Sequence, residues 1–312
     1  MDKNASIYIA GHRGLVGSNL TRLLQERGYT RILAPSHSEL ELLDQQAVTR
    51  FFETERPEYA IICAAKVGGI LFNNQYQADF LYENVVLAAN VIHAAHIAGV
   101  KKLLFLGSSC IYPRQATQPI REESLLSGPL EPTNEGYALA KIVGLKLCEK
   151  YRQQYGRNFI SAMPTNLYGP GDNFHPDHSH VIPGMMRRFH EAKVSNSKQV
   201  AIWGSGSPMR EFLFITDLAE ALFMLMECYN DAGTINVGTG ADVSISELAA
   251  LMKEITGFGG DIVYDRSKPD GMMRKVLDTS RINSLGWKPR VSLREGLEKT
   301  YAWALDSGAL GV

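Results

Sequence analysis

The sequence predicts an α/β fold in which a parallel sheet carries helices on both faces and a smaller C-terminal α/β lobe follows. Short apolar runs typical of strands alternate with helical patterns from the first residues onward. A glycine-rich turn joins the first strand to the first helix, and beyond Leu167 the alternation loosens where glycine and proline cluster. Such alternation indicates parallel strands with right-handed crossovers, whose ligands gather at the carboxyl ends of the strands.

Each predicted element rests on its periodicity and its boundary residues. Asp44, for example, is predicted to cap a helix that carries Phe51 and Phe52 and ends before Pro57. Before Leu167, the predicted strands are Ser6–Ala10, Arg31–Ala34, Tyr59–Cys63, Lys102–Leu106 and Phe159–Met163. The other predicted helices run from Leu15 to before Gly28, over 78–98 and over 137–155.

We expect two domains. Residues 1–167 are predicted to bind a dinucleotide and residues 168–312 to form mainly a substrate lobe, with the chain returning to the sheet around residues 211–237. The second part has strand patterns and capping boxes of its own, at Val200–Trp203, at Ile235–Val237, at Ser244 with Glu247, and at Ser292 with Glu295.

Composition and charge restrict the class of protein. The 312 residues include 32 lysines and arginines against 33 aspartates and glutamates, and the formal net charge of −1 gives no general attraction for nucleic acid or a membrane surface. Four separated cysteines without C-x-x-C spacing argue against a disulfide framework and a zinc site. The start lacks a signal-peptide pattern, and no apolar run approaches the about 18 residues that span a bilayer. We therefore expect a cytoplasmic protein without a metal, membrane or nucleic-acid partner.

The segment Gly11-His-Arg-Gly14-Leu-Val-Gly17 is typical of a dinucleotide-binding turn. Its glycines permit close approach to a pyrophosphate, which the N–H groups at the start of the next helix attract. NAD sites usually carry an acid at the end of the second strand, but Ala34-Pro-Ser36-His37-Ser38 has no carboxylate before Glu39. Arg13 is placed to meet a 2′-phosphate, unless it is only a solvated loop charge. NADP is therefore predicted rather than NAD.

A serine, a tyrosine and a lysine follow the fourth strand in an order that suits carbonyl reduction. Tyr137 and Lys141 are four residues apart and share one face of the predicted helix. An ammonium within about 4–6 Å lowers the pKa of a phenol by about 1–3 units, so that Tyr137 can exchange a proton with a carbonyl oxygen as hydride arrives. Ser108 or Ser109 can hydrogen-bond the same oxygen. Tyrosine and lysine at this spacing are often only an exposed pair, but the preceding glycine turn favours catalysis.

This combination resembles the extended short-chain dehydrogenase/reductase superfamily and, within it, the GDP-L-fucose synthase family, over nearly the whole chain. The resemblance is carried by the glycine turn and by longer motifs. These are Ala64-Ala-Lys-Val-Gly-Gly-Ile70, Leu104-Phe-Leu-Gly-Ser-Ser-Cys-Ile-Tyr-Pro113, Glu131-Pro-Thr-Asn134, Met163-Pro-Thr-Asn-Leu-Tyr-Gly-Pro170, Asp172-Asn-Phe-His-Pro176, Ser179-His-Val-Ile-Pro183, Trp203-Gly-Ser-Gly206, Met209-Arg-Glu-Phe212 and Ser267-Lys-Pro-Asp-Gly271. The fold that it implies is a Rossmann-type sheet with a smaller substrate lobe.

The resemblance implies a bifunctional enzyme that epimerises GDP-4-keto-6-deoxy-D-mannose at C3 and C5 and reduces its 4-keto group with NADPH. Epimerisation needs a base and an acid beyond the reductive set, because a proton leaves one face of each centre and another returns. By resemblance Cys110 is the base and His180 the acid, and Ser108 joins Tyr137 and Lys141 in the reductive set. Thiols and imidazoles, with reference pKa values of about 8.5 and 6.5, suit this work near neutral pH.

Structural interpretations compete with these roles. A cysteine after a buried strand is usually an apolar filler, and that interpretation suffices for Cys63, Cys148 and Cys228. The loop with His175, His178 and His180 also holds Asp172 and Asp177, but the spacing fits no closed metal site.

The resemblance also implies binding positions. Cofactor contacts are implied at Gly11, His12, Arg13, Gly14, Leu15, Val16, Gly17, Ser36, His37, Leu40, Ala64, Ala65, Leu106, Gly107, Lys141, Pro164, Asn166, Leu167 and His180. Substrate contacts are implied at Ser109, Arg188, Trp203, Arg210, Asp270 and Lys275. Two positions depart from the family pattern. His37 stands where an arginine is common, so the NADP preference rests on Arg13, and Gly136 replaces a proline before Tyr137, which we expect to loosen the helix start.

Three alternatives remain open on sequence alone. A related GDP-4-keto-deoxyhexose enzyme, such as a GDP-colitose synthase, uses the same residues on a 3-deoxy sugar. A nucleotide-sugar 4-epimerase with tightly held NAD would not need Cys110 and His180. A dinucleotide-sensing binding protein would not need Tyr137 and Lys141.

The helices predicted over 78–98 and 137–155 are apolar on more than one face. One face covers the sheet, and the surplus suggests a second buried face. Pairing with the same helices of a second chain would form a four-helix dimer interface, and the alternative is that the second lobe covers them.

Overall fold

The computed structural model describes residues 1–176, 178–268 and 270–311. Its strands, in chain order, are β1 (Ile7–Ala10), β2 (Ile32–Leu33), β3 (Tyr59–Ile62), β4 (Lys102–Leu106), β5 (Phe159–Pro164), β6 (Asn166–Tyr168), β7 (Gln199–Trp203), β8 (Met209–Arg210), β9 (Phe212–Phe214), β10 (Ile235–Val237), β11 (Val243–Ser244), β12 (Asp261–Asp265) and β13 (Arg274–Lys275). Asp177, Pro269 of the Ser267–Gly271 motif and Val312 lie outside the described residues.

The helices, in chain order, are α1 (Leu15–Glu26), α2 (Gln45–Glu55), α3 (Ile70–Gln75), α4 (Gln77–Ile97), α5 (Glu135–Tyr155), α6 (Val181–Val194), α7 (Ile215–Cys228), α8 (Ile245–Thr256), α9 (Ser280–Ser284) and α10 (Leu293–Asp306). The predicted elements of the first domain are confirmed, with ends that shift by at most two residues. The short helix α3 is an addition that its sequence pattern did not predict. Within the described ranges, no helix is both long and apolar enough to cross a membrane.

The central sheet is parallel, with the strand order β2-β1-β3-β4-β5-β10. The predicted α/β fold is therefore confirmed. The strand order reverses at β1, so that a crevice opens beyond the carboxyl ends of β1 and β3.

Alternate residues of the central strands face opposite helical layers, because successive side chains in a strand alternate. Tyr8 and Ala10 of β1 pack in a core with residues of α2, α4 and α5, whereas Ile7 and Ile9 pack with residues of α1 and α7. All four side chains are at most 2% exposed. Burial on both faces explains why these strands are near-continuous apolar runs.

A third core contains only residues that follow position 167, among them Tyr168, Phe189 and Leu248. It joins α6, α8 and α10 to the parallel pair β7–β12, and the small sheet β11-β8-β13 lies alongside. The chain also crosses back to the first part, since β9 pairs with β6, α7 packs on α1, and β10 extends the central sheet beside β5.

The helix starts predicted at Asp44, Ser244 and Ser292 are all confirmed, but only one of the two predicted capping boxes is complete. The Asp44 carboxylate accepts from the N–H groups of Gln46 and Ala47, and Ser244 and Glu247 form a complete capping box. Ser292 accepts from the N–H of Glu295 at 3.3 Å, but the Glu295 carboxylate accepts from Lys299 Nζ at 2.7 Å instead of returning to Ser292. The second capping box is therefore only half formed, because the lysine one turn later competes for the carboxylate.

Candidate active site

The glycine turn lies at the carboxyl end of β1 and is pressed against the end of β3. A Cβ atom on Gly11, whose φ is +81°, would lie 2.7 Å from the backbone of Ala64. A Cβ atom on Gly17 would lie 2.2 Å from the carbonyl oxygen of Gly11. Helix α1 therefore starts directly over the turn with Gly14 as its N-cap, and none of the described side chains caps it. This cradle fits a dinucleotide pyrophosphate, which a free helix N-terminus attracts.

The end of β2 holds a carboxylate that chain order alone does not place there. Glu39 folds back, and its Oε2 atom accepts hydrogen bonds from the amide and the hydroxyl of Ser36, at 2.7 and 2.6 Å. These bonds lower the pKa of Glu39, and Arg13 and His12 lower it further. The sequence has no acid between the end of β2 and Glu39, but the turn brings the Glu39 carboxylate back to the end of β2.

The other predicted cofactor positions lie along the same edge of the sheet. His37 is exposed and pairs with Glu41, with 2.9 Å between Nε2 and Oε2, whereas Leu40 is buried. Seven further positions lie at or just beyond the carboxyl ends of β3, β4 and β5, at Ala64, Ala65, Leu106, Gly107, Pro164, Asn166 and Leu167. In a parallel sheet these strand ends form one continuous edge.

The serine-rich segment after β4 turns sharply through one 3₁₀ turn, Ser109–Ile111. The Ser108 hydroxyl precedes the turn and accepts a hydrogen bond from the N–H of Cys110 at 3.3 Å. Ser109 is only 3% exposed, whereas Ser108 and Cys110 are half-buried. Of the two serines proposed for the carbonyl oxygen, Ser108 is therefore the accessible one.

Helix α5 places Tyr137 and Lys141 beside the end of β4. Lys141 is 3% exposed, its Nζ atom donates to the carbonyl oxygen of Leu106 at 2.8 Å, and the same atom lies 5.7 Å from the centre of the Tyr137 ring. Burial lowers the pKa of Lys141 to about 8. Burial raises the pKa of Tyr137, and the nearby Cys110 raises it further. The predicted lowering of the Tyr137 pKa is therefore wrong here, since burial and Cys110 both raise that pKa.

Gly136 fixes the start of α5 against the start of α4. Its N–H donates to Gln77 Oε1 at 3.2 Å, and a Cβ atom on Gly136 would lie 2.5 Å from the carbonyl oxygen of Gln77. The helix begins at Glu135, ahead of Tyr137. The missing side chain allows close packing of the two helices, and the expected loosening of the helix start stays a prediction.

The Cys110 thiol lies within electrostatic reach of the reductive set. Burial raises its pKa, while Lys275, Ser108 and Lys141 act in the opposite direction. Cys110 in turn raises the pKa of Tyr137. The structure therefore brings all five of these side chains to one place, although Lys275 belongs to the second lobe.

His180 is the N-cap of α6. Desolvation lowers the pKa of its imidazole, although the residue is still exposed. The preceding loop is held against the segment after β3, since a Cβ atom on Gly69 would lie 3.0 Å from the carbonyl oxygen of Ser179, and the rings of Phe72 and His178 are 4.5 Å apart. Within the described part of the chain, the imidazole makes no hydrogen bond to Cys110 or to the reductive set.

The predicted substrate residues of the second lobe include three cations, Arg188, Arg210 and Lys275, and the aromatic side chain of Trp203. Arg210 and Lys275 are register partners in the parallel pair β8–β13, and burial lowers the pKa of each. Arg188 is also partly buried, and desolvation lowers its pKa. Trp203 ends β7 with 52% of its side chain exposed. Cations in partly desolvated positions with an open indole nearby suit a nucleotide diphosphate.

Asp270 is engaged by the loop after Trp203. Its two carboxylate oxygens accept from the amide and the hydroxyl of Ser205, at 2.6 and 2.8 Å. A Cβ atom on Gly204 would lie 2.3 Å from Asp270 Oδ1. Asp270 therefore fixes this loop, and its direct substrate contact stays a prediction.

Sequence reasoning missed three groups near the site. Glu131 raises the pKa of Arg210 and of Lys275, and the fully buried Glu211 also raises that of Lys275. Cys63, interpreted as a filler, lies close enough for Lys141 to oppose the rise in its pKa to about 12. The available signal was the place of both glutamates within motifs that also hold site residues. No group of three or more His, Cys, Asp or Glu residues in the described ranges could hold a metal ion.

Comparison with known proteins places this architecture in a family. Residues 7–238 match the NAD dependent epimerase/dehydratase family. GDP-L-fucose synthase 1 of Arabidopsis thaliana is 57% identical over 306 residues, which cover 98% of this chain and 95% of that protein. GDP-L-fucose synthase of Escherichia coli strain K12 is 53% identical, with 96% of this chain and 97% of that protein covered. GDP-L-colitose synthase of Yersinia pseudotuberculosis is 37% identical, with coverage of 96% and 98%.

Solved structures agree with these similarities. The crystal structure of a GDP-L-fucose synthetase from Naegleria fowleri bound to NADP has a TM-score of 0.90 at 28% identity, covering 99% of this chain and 96% of that one. The chain therefore belongs to the NAD dependent epimerase/dehydratase family and, within it, to the family of GDP-L-fucose synthases.

Proposed function

We propose that the chain converts GDP-4-keto-6-deoxy-D-mannose into GDP-L-fucose, by epimerisation at C3 and C5 followed by NADPH-dependent reduction of the 4-keto group. The observation that carries this proposal is the Cys110 thiol, which lies within electrostatic reach of Tyr137 and Lys141. A simple reductase does not need a thiol there, whereas an epimerase needs an additional base. The names of relatives that are 57% and 53% identical support the same substrate.

In the reductive half, Tyr137 donates a proton to the C4 oxygen, and Ser108 hydrogen-bonds that oxygen. Because burial raises the pKa of Tyr137, the phenol keeps its proton at neutral pH until charge develops on the oxygen. The Lys141 ammonium, held by the Leu106 carbonyl, then stabilises the phenolate that remains. A bound nicotinamide cofactor supplies the hydride.

In the epimerising half, Cys110 removes a proton from C3 or C5, and His180 returns one from the opposite face. Protons at these carbons are acidic because the carbanion delocalises into the C4 carbonyl. The thiolate is the active form of cysteine, and Lys275 and Lys141 favour it against the opposing effect of burial. Ser108 and Tyr137 would hold the enolate oxygen, so that one set of donors serves both reactions.

The cofactor residues would bind NADPH through backbone N–H groups and through polar or charged side chains. The start of α1 at the glycine turn would hold the pyrophosphate, and Arg13 with Ser36 would hold the 2′-phosphate of NADP. Lys141 would contact the nicotinamide ribose. The NADP-bound structure from Naegleria fowleri supports this choice, and the Glu39 carboxylate beside Arg13 opposes it.

We place the domain boundary near residue 167, with a dinucleotide domain before it and a substrate lobe mainly after it. The third core, built only from residues beyond that position, supports this division. Arg188, Arg210 and Lys275 of the lobe would then bind the diphosphate, and the exposed indole of Trp203 would contact the base.

We also propose a homodimer that forms in the cytoplasm through α4 and α5. Both helices keep large apolar side chains in solvent, with exposures of 67% for Tyr82, 59% for Ile97, 38% for Leu139 and 37% for Val143. The alternative that the second lobe covers these side chains does not agree with their exposure. Association of the two helix pairs would bury them in a four-helix interface.

A product assay tests the proposed reaction. Purified protein is incubated with GDP-4-keto-6-deoxy-D-mannose and NADPH, and we expect GDP-L-fucose with one NADPH oxidised per product. Interconversion of C4 epimers of a nucleotide sugar, without NADPH oxidation and without GDP-L-fucose from the ketone, would indicate a 4-epimerase, and preference for the 3-deoxy ketone would indicate a colitose-type enzyme. Binding of NADPH without turnover of either ketone would contradict an enzymatic role.

A further inference from the structure

A fully buried carboxylate, Glu211, directly follows Arg210, which is the register partner of Lys275 in the small sheet of the second lobe. Its relative exposure is 0%, and it connects segments that are distant in sequence. Oε1 accepts from the N–H of Gly240 at 2.7 Å, and Oε2 accepts from the N–H of Leu277 at 2.9 Å. Each carboxylate oxygen therefore binds a different segment of the backbone.

The segments that Glu211 joins carry the predicted ligand contacts. Leu277 lies two residues after Lys275, and Lys275 is the register partner of Arg210, the residue before Glu211. On the opposite side, the Glu211 backbone carbonyl accepts from Asn166 Nδ2 at 2.8 Å, and Asn166 lies on the predicted cofactor edge. Glu211 thus links the strands of Arg210 and Lys275, β8 and β13, to Asn166 just beyond the end of β5.

The space around the carboxylate is closed. A Cβ atom on Gly238 would lie 2.2 Å from Glu211 Oε1, so only glycine leaves the carboxylate in its position. The Thr239 hydroxyl adds a contact of 3.3 Å to the same oxygen. A buried carboxylate with several donors is held in one orientation, because any other would leave polar groups unpaired.

We propose that Glu211 is a positioning residue that holds Arg210 and Lys275 in the arrangement that binds the diphosphate of the nucleotide sugar. This inference rests on the proposed function for the identity of the ligand. Glu211 does not touch the diphosphate itself. It acts by fixing β13 beside β8 and by supplying a negative charge that favours the desolvated ammonium of Lys275.

The negative charge of Glu211 affects the pKa of Lys275, which a purely structural role would not do. Burial lowers the pKa of Lys275, while Cys110, Glu211 and Glu131 raise it and Arg210 lowers it. Removing the Glu211 charge should therefore let Lys275 lose its proton at a lower pH. Affinity for a diphosphate, which needs the ammonium, should then decline at lower pH than in the parent protein.

The test compares Glu211→Gln with Asp217→Asn. Asp217 is a matched control, since it is 5% exposed and its Oδ2 accepts from the N–H groups of Arg290 and Val291, at 3.0 and 2.9 Å. GDP binding is measured by calorimetry across a series of pH values, together with NADPH binding, melting temperature, and kcat and KM for the 4-keto sugar. We expect Glu211→Gln to weaken GDP binding about tenfold, with NADPH binding close to the parent value.

The pH at which GDP affinity declines should also shift downward in Glu211→Gln but not in Asp217→Asn. Unchanged GDP affinity and pH dependence in Glu211→Gln would overturn the proposal, as would equal losses of GDP affinity in the two variants. If Glu211→Gln does not fold, Gly238→Ala decides, because its Cβ displaces the carboxylate without removing the charge. Weaker GDP binding in Gly238→Ala would support the proposal, and parental binding would overturn it.

Because GDP binding involves no turnover, the role of Glu211 and the proposed reaction can each be contradicted independently of the other. A parent protein that binds GDP but makes no GDP-L-fucose contradicts the proposed reaction and leaves the role of Glu211 measurable.

Discussion

The Nζ atom of Lys141 donates a hydrogen bond to the backbone carbonyl of Leu106, and the two atoms are 2.8 Å apart. This bond joins helix α5 to the end of the central strand β4. It also places a lysine, with a pKa lowered by burial to about 8, behind the phenol of Tyr137. The charge of that lysine therefore changes close to physiological pH.

The first prediction concerns the pH dependence of hydride transfer. Because the protonated Lys141 stabilises the phenolate of Tyr137, kcat/KM for reduction should decline as pH rises through about 8, where Lys141 loses its proton. Lys141→Arg keeps the charge and should move this decline to higher pH, with a lower plateau because the arginine fork does not reproduce the bond to Leu106. The measurement is NADPH oxidation with the epimerised ketone between pH 6 and pH 10. An unchanged alkaline limb in Lys141→Arg would show that another group titrates.

The second prediction concerns cofactor preference. Glu39 is bound to Ser36 and lies near Arg13, so Glu39→Gln should remove repulsion from the 2′-phosphate and raise the NADPH-to-NADH efficiency ratio several-fold. Arg13→Ala should lower the same ratio, since it removes the cation. Steady-state kinetics with both cofactors checks each variant, and Glu41→Gln is the control because Glu41 pairs with the outward-facing His37. A ratio that Arg13→Ala leaves unchanged would contradict the role of the glycine turn in selecting NADP.

The third prediction concerns stability and Lys102. This side chain is 4% exposed, and its Nζ atom donates to the carbonyls of Leu225 and Met226 at the end of α7, at 2.7 and 2.8 Å. Burial lowers its pKa from 10.5 to about 8. Between these values the unfolded chain binds more protons than the folded chain, so this residue makes stability rise with pH and contributes nothing to that rise below about pH 8.

In Lys102→Met this contribution is lost. The free energy of unfolding of the parent, minus that of the variant, should increase by about 2 kcal/mol from pH 8 to pH 10. Urea unfolding of both proteins at several pH values measures this difference. A difference that does not change with pH would mean that the folded Lys102 keeps an ordinary pKa.

The fourth prediction concerns association. Tyr82→Glu on α4 places a charge in the proposed interface and should convert dimers into monomers, because a buried unpaired carboxylate is costly. Leu305→Glu on α10 is the control, since Leu305 is 48% exposed but lies in the second lobe. Sedimentation or light scattering gives the mass of each protein. Dimers that survive Tyr82→Glu but not Leu305→Glu would place the interface elsewhere.

The fold was predictable from sequence because its strands are buried on both faces and therefore appear as apolar runs between helical periods. Ile7 and Tyr8 face opposite cores, and both must be apolar. Helix starts were predictable where the cap depends on local geometry alone, as at Asp44 and Ser244. At Ser292 the prediction was half wrong, because Lys299 competes for Glu295.

Sequence predicted which residues form the candidate site, but it did not predict how their pKa values shift. Tyr137 and Lys141 share a helix face by spacing, yet only the packing around them determines that burial raises the pKa of Tyr137. Glu39 follows the strand end in sequence and returns to it in space, which depends on the turn that Ser36 caps. The motif that contains Glu211 did not reveal its role, because its hydrogen-bond partners are backbone groups from distant segments.

The most direct test of the account is solvent deuterium exchange at C3 and C5 of GDP-4-keto-6-deoxy-D-mannose. Parent protein, Cys110→Ser and Tyr137→Phe are compared for exchange and for reduction of the epimerised ketone. We predict that Cys110→Ser loses exchange by about 10²-fold or more and largely retains reduction, whereas Tyr137→Phe loses reduction by about 10²–10⁴-fold. Exchange at the parent rate in Cys110→Ser would contradict the assignment of this thiol as the epimerising base.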